Sequence, residues 1–369
     1  MKKFPLILSL ILIISLLTGC AGTPVVYYTD CTCPADAHVD TAAPAPETPS
    51  ADAPAVEAPV LTEGALKTGL AISTSVKKSA NATAEAAGKA DYDVTMVAVL
   101  VDDNGVIQDC IIDGIAASVA FDANGAITSD LTAAPQTKNE LGENYNMVKY
   151  GGAIAEWDAQ AAALASFAVG KTVEELKTGA VSESGYAPEG SDLASQATIY
   201  LGGYVYAIEA AVNNAQHLGA HSGDTLKMGV ITGVGDSTAA ETEKAGNAQL
   251  NVDVTALTMN GEIITSCMID SVQAKVGFDA TGVITSDVTA PVATKNELGE
   301  NYNMVKYGGA IAEWDAQAAS FAAYVTGKTA DEVSGIAITE ATKPADADLA
   351  ATVTISVIGF MNLIVKAAQ

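Results

Sequence analysis

The sequence predicts an α+β fold: a tandem repeat of two domains, each an antiparallel β-meander packed with about three helices. Three observations carry this. Thr137–Ala162 reads TKNELGENYNMVKYGGAIAEWDAQAA, and Thr294–Ala319 repeats all 26 residues at an offset of 157. Ahead of each copy lie apolar runs broken by Asp-Asn-Gly or Asn-Gly, a hairpin signal. Behind each copy the apolar spacing changes to that of helices.

The elements follow in order. Met1-Lys2-Lys3 and the apolar residues 4–17 (FPLILSLILIISLL) form a leader too short to span a bilayer comfortably, ending in Leu17-Thr18-Gly19-Cys20. That ending resembles a bacterial lipobox, so 1–19 reads as a lipoprotein signal peptide and Cys20 as the lipidated residue. The anchor implies the extracytoplasmic face of the cell membrane. Residues 20–63 read as a disordered Pro/Ala-rich tether: seven of the chain's twelve prolines lie in 21–60, interleaved with Ala, Thr, Glu and Asp. Extended, it reaches about 100 Å at roughly 3 Å per residue. Cys31 and Cys33 within it have no further ligands nearby and read as spacer thiols.

Repeat one is expected over 64–217 and repeat two over 224–369. In repeat one, Val94–Val101 reads as a strand buried on both faces, Asp102-Asp103-Asn104-Gly105 as the hairpin turn, and Val106–Ile112 as the return strand ending in Asp113-Gly114. Ile115–Phe121 and Ala126–Thr128 flank a second Asn-Gly turn; repeat two shows Val252–Met259, Asn260-Gly261 and Ile263–Ile269. Ile154, Trp157, Ala161, Leu164 and Ala168 share a helical face, and Gly170 suits its C-terminal cap. Thr172-Val173-Glu174-Glu175 and Thr329-Ala330-Asp331-Glu332 read as capping boxes. A last helix is expected at about 196–215 and again at about 353–367.

Composition excludes several functions. There are 18 lysines, no arginine and 44 acidic residues, a net charge of −26 that becomes −28 once the leader and its two lysines are removed. Such a chain is repelled by nucleic acid and lacks the guanidinium fork that clamps phosphates. Gly170-Lys171-Thr172 mimics the tail of a phosphate loop, but Ala165 stands where that loop needs glycine, and a helix cap is the better reading. His217 and His221 have no carboxylate in register and read as linker residues. Cys110 and Cys267 read as buried structural thiols, and the Asp-rich turns at 102–104 and 122–124 as hairpin chemistry. No metal site and no catalytic nucleophile set emerges.

Asp192-Leu193-Ala194-Ser195-Gln196-Ala197-Thr198 precedes the last helix of repeat one, and Asp348…Thr354 keeps the same six-residue spacing in repeat two. A threonine on a helix's first turn offers its hydroxyl where backbone N–H groups converge, which favours a phosphodiester. The stretch resembles the FMN-binding domain family, in which a flavin transferase esterifies FMN phosphate onto the threonine of an Asp…Ser-Gly-Ala-Thr motif. Asp192, Ser195, Ala197 and Thr198 match, while Gln196 stands at the glycine and Tyr200 departs. In repeat two Asp348, Thr354 and Ser356 match. The resemblance implies covalent FMN at Thr198 and more weakly at Thr354, with Trp157, Trp314, Tyr145 and Tyr302 as candidates for stacking on the flavin ring. It implies an extracytoplasmic electron carrier served by a flavin transferase and redox partners, not an enzyme with its own substrate. The alternative is a flavin-free surface module that keeps the fold and uses the repeated block for recognition.

Overall fold

The computed structural model describes residues 64–369. The leader, Cys20, the tether and Cys31/Cys33 lie outside the described residues. The first half comprises β1 (Lys67–Ser75), β2 (Gly88–Val101) and β3 (Ile107–Phe121), then α1 (Lys138–Leu141), α2 (Met147–Gly151), α3 (Trp157–Ala168), α4 (Val173–Ala180) and α5 (Gly202–Asn213). The second half comprises β4 (Thr225–Gly233), β5 (Gly246–Asn260) and β6 (Ile263–Phe278), then α6 (Lys295–Leu298), α7 (Met304–Gly308), α8 (Trp314–Val325), α9 (Ala330–Ser334), α10 (Ala347–Ala350) and α11 (Ile358–Ala368). The strands form two three-stranded antiparallel meanders, β1-β2-β3 and β4-β5-β6. The class is therefore α+β. Among the described residues no helix is long and apolar enough to cross a membrane.

The two sheets pack face to face. Val94, Met96, Ala98 and Leu100 of β2 share one core with Val252, Val254 and Ala256 of β5, while Val97, Val99 and Val101 on the opposite face of β2 pack under the helices of their own half. This is why the strand reads as buried on both faces. The inner core belongs to both halves. Within it, at the ends of β3 and β6, Phe121 and Phe278 stack with ring centroids 4.1 Å apart and planes 4° from parallel. Each ring lies over a cross-strand glycine, Phe121 opposite Gly88 and Phe278 opposite Gly246. A Cβ on Gly88 would lie 2.4 Å from the Phe121 ring and one on Gly246 2.5 Å from the Phe278 ring, so only glycine leaves room. The second turns dock reciprocally: Ala82 N donates to Gly282 O and Ala240 N to Gly125 O, both at 2.8 Å.

The local chemistry explains the elements. Asp102 Oδ1 accepts from the amides of Asn104 and Val106, and Gly105 takes φ +78°, which closes the β2–β3 hairpin. The capping boxes at Thr172/Glu175 and Thr329/Glu332 are formed, and further ones open α1 and α6. Gly170, at φ +79°, follows the end of α3, and its amide donates to Ile107 O, tying the helix end to β3. Gly327 does the same to Ile264 O.

Four expectations need correction. Asp113-Gly114 does not end a strand; β3 runs unbroken to Phe121 because both residues stay paired with β2. β1 and β4 were not foreseen, because their alternation is interrupted by small and polar residues. Ile154 precedes α3 and is 54% exposed, so it lies outside the buried helical face. The last helices begin at Gly202 and Ile358, several residues later than expected.

Replacing Phe278 by Ala should cost about 3–5 kcal/mol in chemical denaturation. Gly246→Ala should also destabilise, by displacing the same ring, and both halves should unfold in one transition.

Candidate functional site

A cleft of about 440 Å³ opens in the first half, where β1, β2, the repeated block and the segment entering α5 meet. This lies in the range of small-molecule sites, roughly 300–1,000 Å³. Its walls include Lys138, Tyr145 and Trp157 from the block, Asp93 from β2, and Tyr200 and Tyr204 from beside α5. Lys138 is buried, with its Nζ 4.8 Å from the Trp157 ring centroid and 5.6 Å from that of Tyr145. Asp93 Oδ1 lies 3.9 Å from the same nitrogen. Burial holds the Lys138 ammonium below the usual lysine range, while Asp93 opposes that shift. Gly114 lets the lysine lie across the sheet, since a Cβ there would stand 3.3 Å from the lysine stem. Trp157 Nε1 donates to Tyr204 Oη at 3.0 Å, and the two rings meet edge to face.

The block also holds the loop that carries Thr198. Gln160, fully buried on α3, accepts through Oε1 from Thr198 N at 2.8 Å, Ile199 N at 3.2 Å and Thr198 Oγ1 at 3.3 Å. Its Nε2 donates to Ala155 O at 2.8 Å. Gln317 meets Thr354 N at 2.8 Å, Thr354 Oγ1 at 3.3 Å and Ala312 O at 2.8 Å in the same way. Thr198 and Thr354 therefore sit in a loop four residues before α5 and α11, not on a first helical turn. The amides expected to converge on a phosphate at Thr198 are already bonded to a glutamine oxygen.

The remaining motif residues are spread around this loop. Asp192 is exposed, and its carbonyl accepts from Ser195 Oγ at 2.6 Å; Ala197 is buried. Asp348 lies within α10, which Asp346 caps, so it is a helical and not a loop carboxylate. Trp157 and Trp314 are only 2% and 5% exposed, each with a lysine ammonium over its ring, Lys295 at 4.6 Å in the second case. Trp157 lines the cleft wall, and in both tryptophans a ring face that could stack on a ligand is covered by lysine. Tyr302 pairs with Lys295 as Tyr145 does with Lys138. The second half carries Ser356 and Phe360 at the places of Tyr200 and Tyr204, and Phe360 packs edge-on against Trp314.

Residues singled out for other chemistry are structural. Cys110 and Cys267 are buried free thiols, each pushed up to about 12 by burial. His217 Nε2 lies 2.9 Å from Asp103 Oδ1, which Lys67 also meets at 2.9 Å. Among the described residues no His/Cys/Asp/Glu group has metal-binding geometry. The sequence reading missed Lys138, Gln160 and their twins. Their signal was available: a lysine and a glutamine inside a block unchanged between halves, flanking the one tryptophan of each copy.

Asp113 and Asp270 anchor the block to the sheet. Asp113 Oδ1 accepts from Gly114 N at 2.7 Å and Asn139 N at 3.1 Å; Asp270 Oδ1 accepts from Ser271 N and Asn296 N at the same distances. Burial pushes Asp270 up to about 6, against the pull of hydrogen bonds from the Thr294 hydroxyl and those two amides.

Comparison with protein-family models, with curated proteins and with solved structures finds no match.

Two outcomes are expected. Gln160→Leu should strip protection from the Thr198 and Ile199 amides in hydrogen exchange and destabilise by roughly 1–3 kcal/mol. An acid whose folded pKa is raised takes up protons on folding between its unfolded and folded values. Its share of stability therefore falls as pH rises from about 4 to about 6. Asp270→Asn should remove that fall, so the stability difference between variant and parent should shift in the variant's favour across this window, as read by denaturation at several pH values.

Proposed function

We propose that the chain is a surface-anchored lipoprotein whose halves are two duplicated FMN-binding-like domains fused through one core, and that it serves as an extracytoplasmic electron carrier. One observation carries the reading: a cleft walled by the buried Lys138 and Trp157 and by tyrosines adjoins the loop bearing Thr198. FMN held there would supply reversible electron uptake and release. Tyr145, Tyr200 and Tyr204 give the cleft aromatic walls, and Lys138 brings a positive charge that would raise the electron affinity of a ring beside it. Attachment at Thr198 requires its exposed hydroxyl to leave Gln160, a contact of only 3.3 Å. Thr354 offers the same hydroxyl but lacks the two tyrosines, so the first half is the better site. The lipid on Cys20 and the tether would hold the carrier at the membrane's outer side.

A second reading is favoured by a specific feature. Gln160 already satisfies the amides of Thr198 and Ile199, and the block exposes Val148, Tyr150 and Ile154, as its twin exposes Val305, Tyr307 and Ile311. A flavin-free binding module would use these side chains for contact.

Intact-mass analysis after co-expression with a flavin transferase separates the two. The carrier reading expects one added FMN and a yellow protein, with Thr198→Ala abolishing attachment in the first half. A colourless protein of unmodified polypeptide mass would overturn it in favour of the second reading.

A further inference from the structure

A second cleft, of about 570 Å³, lies between β1 and α5 of the first half and the segment entering α6 of the second. Its counterpart lies between β4 and α11 of the second half and the segment entering α1 of the first, and has only about 280 Å³. The correspondence is fixed by two glycines. Gly69 of β1 packs under Ala211 of α5, and Gly229 of β4 under Ala367 of α11, each too closely to admit a Cβ. Counting back one residue from those alanines places Ala210 opposite Lys366.

Lys366 fills the smaller cleft. Its Nζ donates to Val230 O at 2.6 Å and pairs with the Glu140 carboxylate of the other half. Burial tends to raise the Glu140 carboxyl, but the lysine and the Thr137 amide hold it below the usual range. Glu140 thus divides its two oxygens, Oε2 accepting from Thr137 N at 2.9 Å and Oε1 facing the ammonium. Glu297 repeats the first half of this arrangement, with Oε2 accepting from Thr294 N at 2.8 Å. Its Oε1 has no partner among the described residues, because Ala210 supplies no ammonium. The methylene stem of Lys366 is missing from the large cleft as well, and Ile72, Met268 and Val292 line the space.

We propose that this cleft binds a small aliphatic primary amine, whose ammonium takes the place at Glu297 that Lys366 takes at Glu140 and whose chain lies along the apolar wall. The chain's own lysine is the template for the ligand, and Asp270 adds a second carboxyl to the lining. The strongly acidic protein draws such cations from solution. The inference does not rest on the flavin reading and concerns a different cleft.

The test is calorimetric titration of 1,5-diaminopentane into the full chain expressed without a flavin transferase, with 1-pentanol as the uncharged control. Saturable one-to-one binding of the diamine and none of the alcohol is expected. Ala210→Lys supplies the missing ammonium internally and should weaken binding at least tenfold while leaving the thermal transition equal or higher. Glu297→Gln keeps a carbonyl oxygen for Thr294 N and should weaken binding about fivefold, or about 1 kcal/mol. Absence of saturable binding up to about 10 mM diamine, a level corresponding to less than roughly 3 kcal/mol of affinity, would overturn the proposal. So would binding that neither variant changes. A lysine-bearing peptide that binds while the free diamine does not would also overturn it, and would point to a protein partner.

Discussion

The apolar inner face that the two sheets present to each other governs the rest of the structure. A three-stranded meander with apolar side chains on both faces needs two covers, and the helices of each half supply only one. The other cover is the opposite sheet, with Phe121 and Phe278 stacked on each other where β3 and β6 end. This requirement explains features that look unrelated: the wholly apolar stretch of β2, the glycines opposite each phenylalanine, and the exchanged Ala82–Gly282 and Ala240–Gly125 bonds. It also makes the halves interdependent, because separating them would expose a continuous apolar surface of the size that drives association.

The 26-residue block is best understood as wiring between sheet and helices. In both copies its Asn backbone amide donates to a buried aspartate on the third strand of its half, and the Asn side chain donates to the carbonyl just before that aspartate. Its Glu156 or Glu313 carboxylate caps the amides of the short helix before it. Its glutamine pins the threonine loop. Nearly every polar residue at a partly buried position has a fixed partner, and a change in one leaves another unsatisfied. That alone resists divergence in the block, with or without a bound ligand.

The sequence made the strands of the central hairpins, their turns and the capping boxes legible, because these depend on contacts within a few residues. Asp102 with Asn104 and Val106, and Thr172 with Glu175, are local chemistry. It misplaced what depends on contacts far along the chain. The continuity of β3 through Asp113-Gly114 reflects their pairing with Met96 and Thr95 of β2, about 17 to 19 residues earlier. Thr198 is drawn out of the helix by Gln160, 38 residues earlier, whose oxygen takes the amides that a helical turn would have left facing solvent or an anion. The tryptophans marked for stacking are buried, and the lysine that covers each ring comes from another turn of the same block and could not be read from spacing.

The halves differ in how far their clefts are filled. Duplication alone would give equivalent clefts, yet side chains close them unequally. Lys366 fills the cleft whose twin is open beside Ala210, and Phe360 packs on Trp314 where the first half places Tyr204, whose hydroxyl keeps a polar group at the cleft wall. At Lys366 the second half uses a side chain of its own where the first half leaves space, whereas Tyr204 and Phe360 both pack edge-on against their tryptophans. A helix that packs with its own lysine or phenylalanine gains stability at no ordering cost to a ligand, and an open cleft forgoes that gain. Both open clefts border α5, so the space the first half leaves is concentrated beside one helix and the loop that Gln160 holds before it.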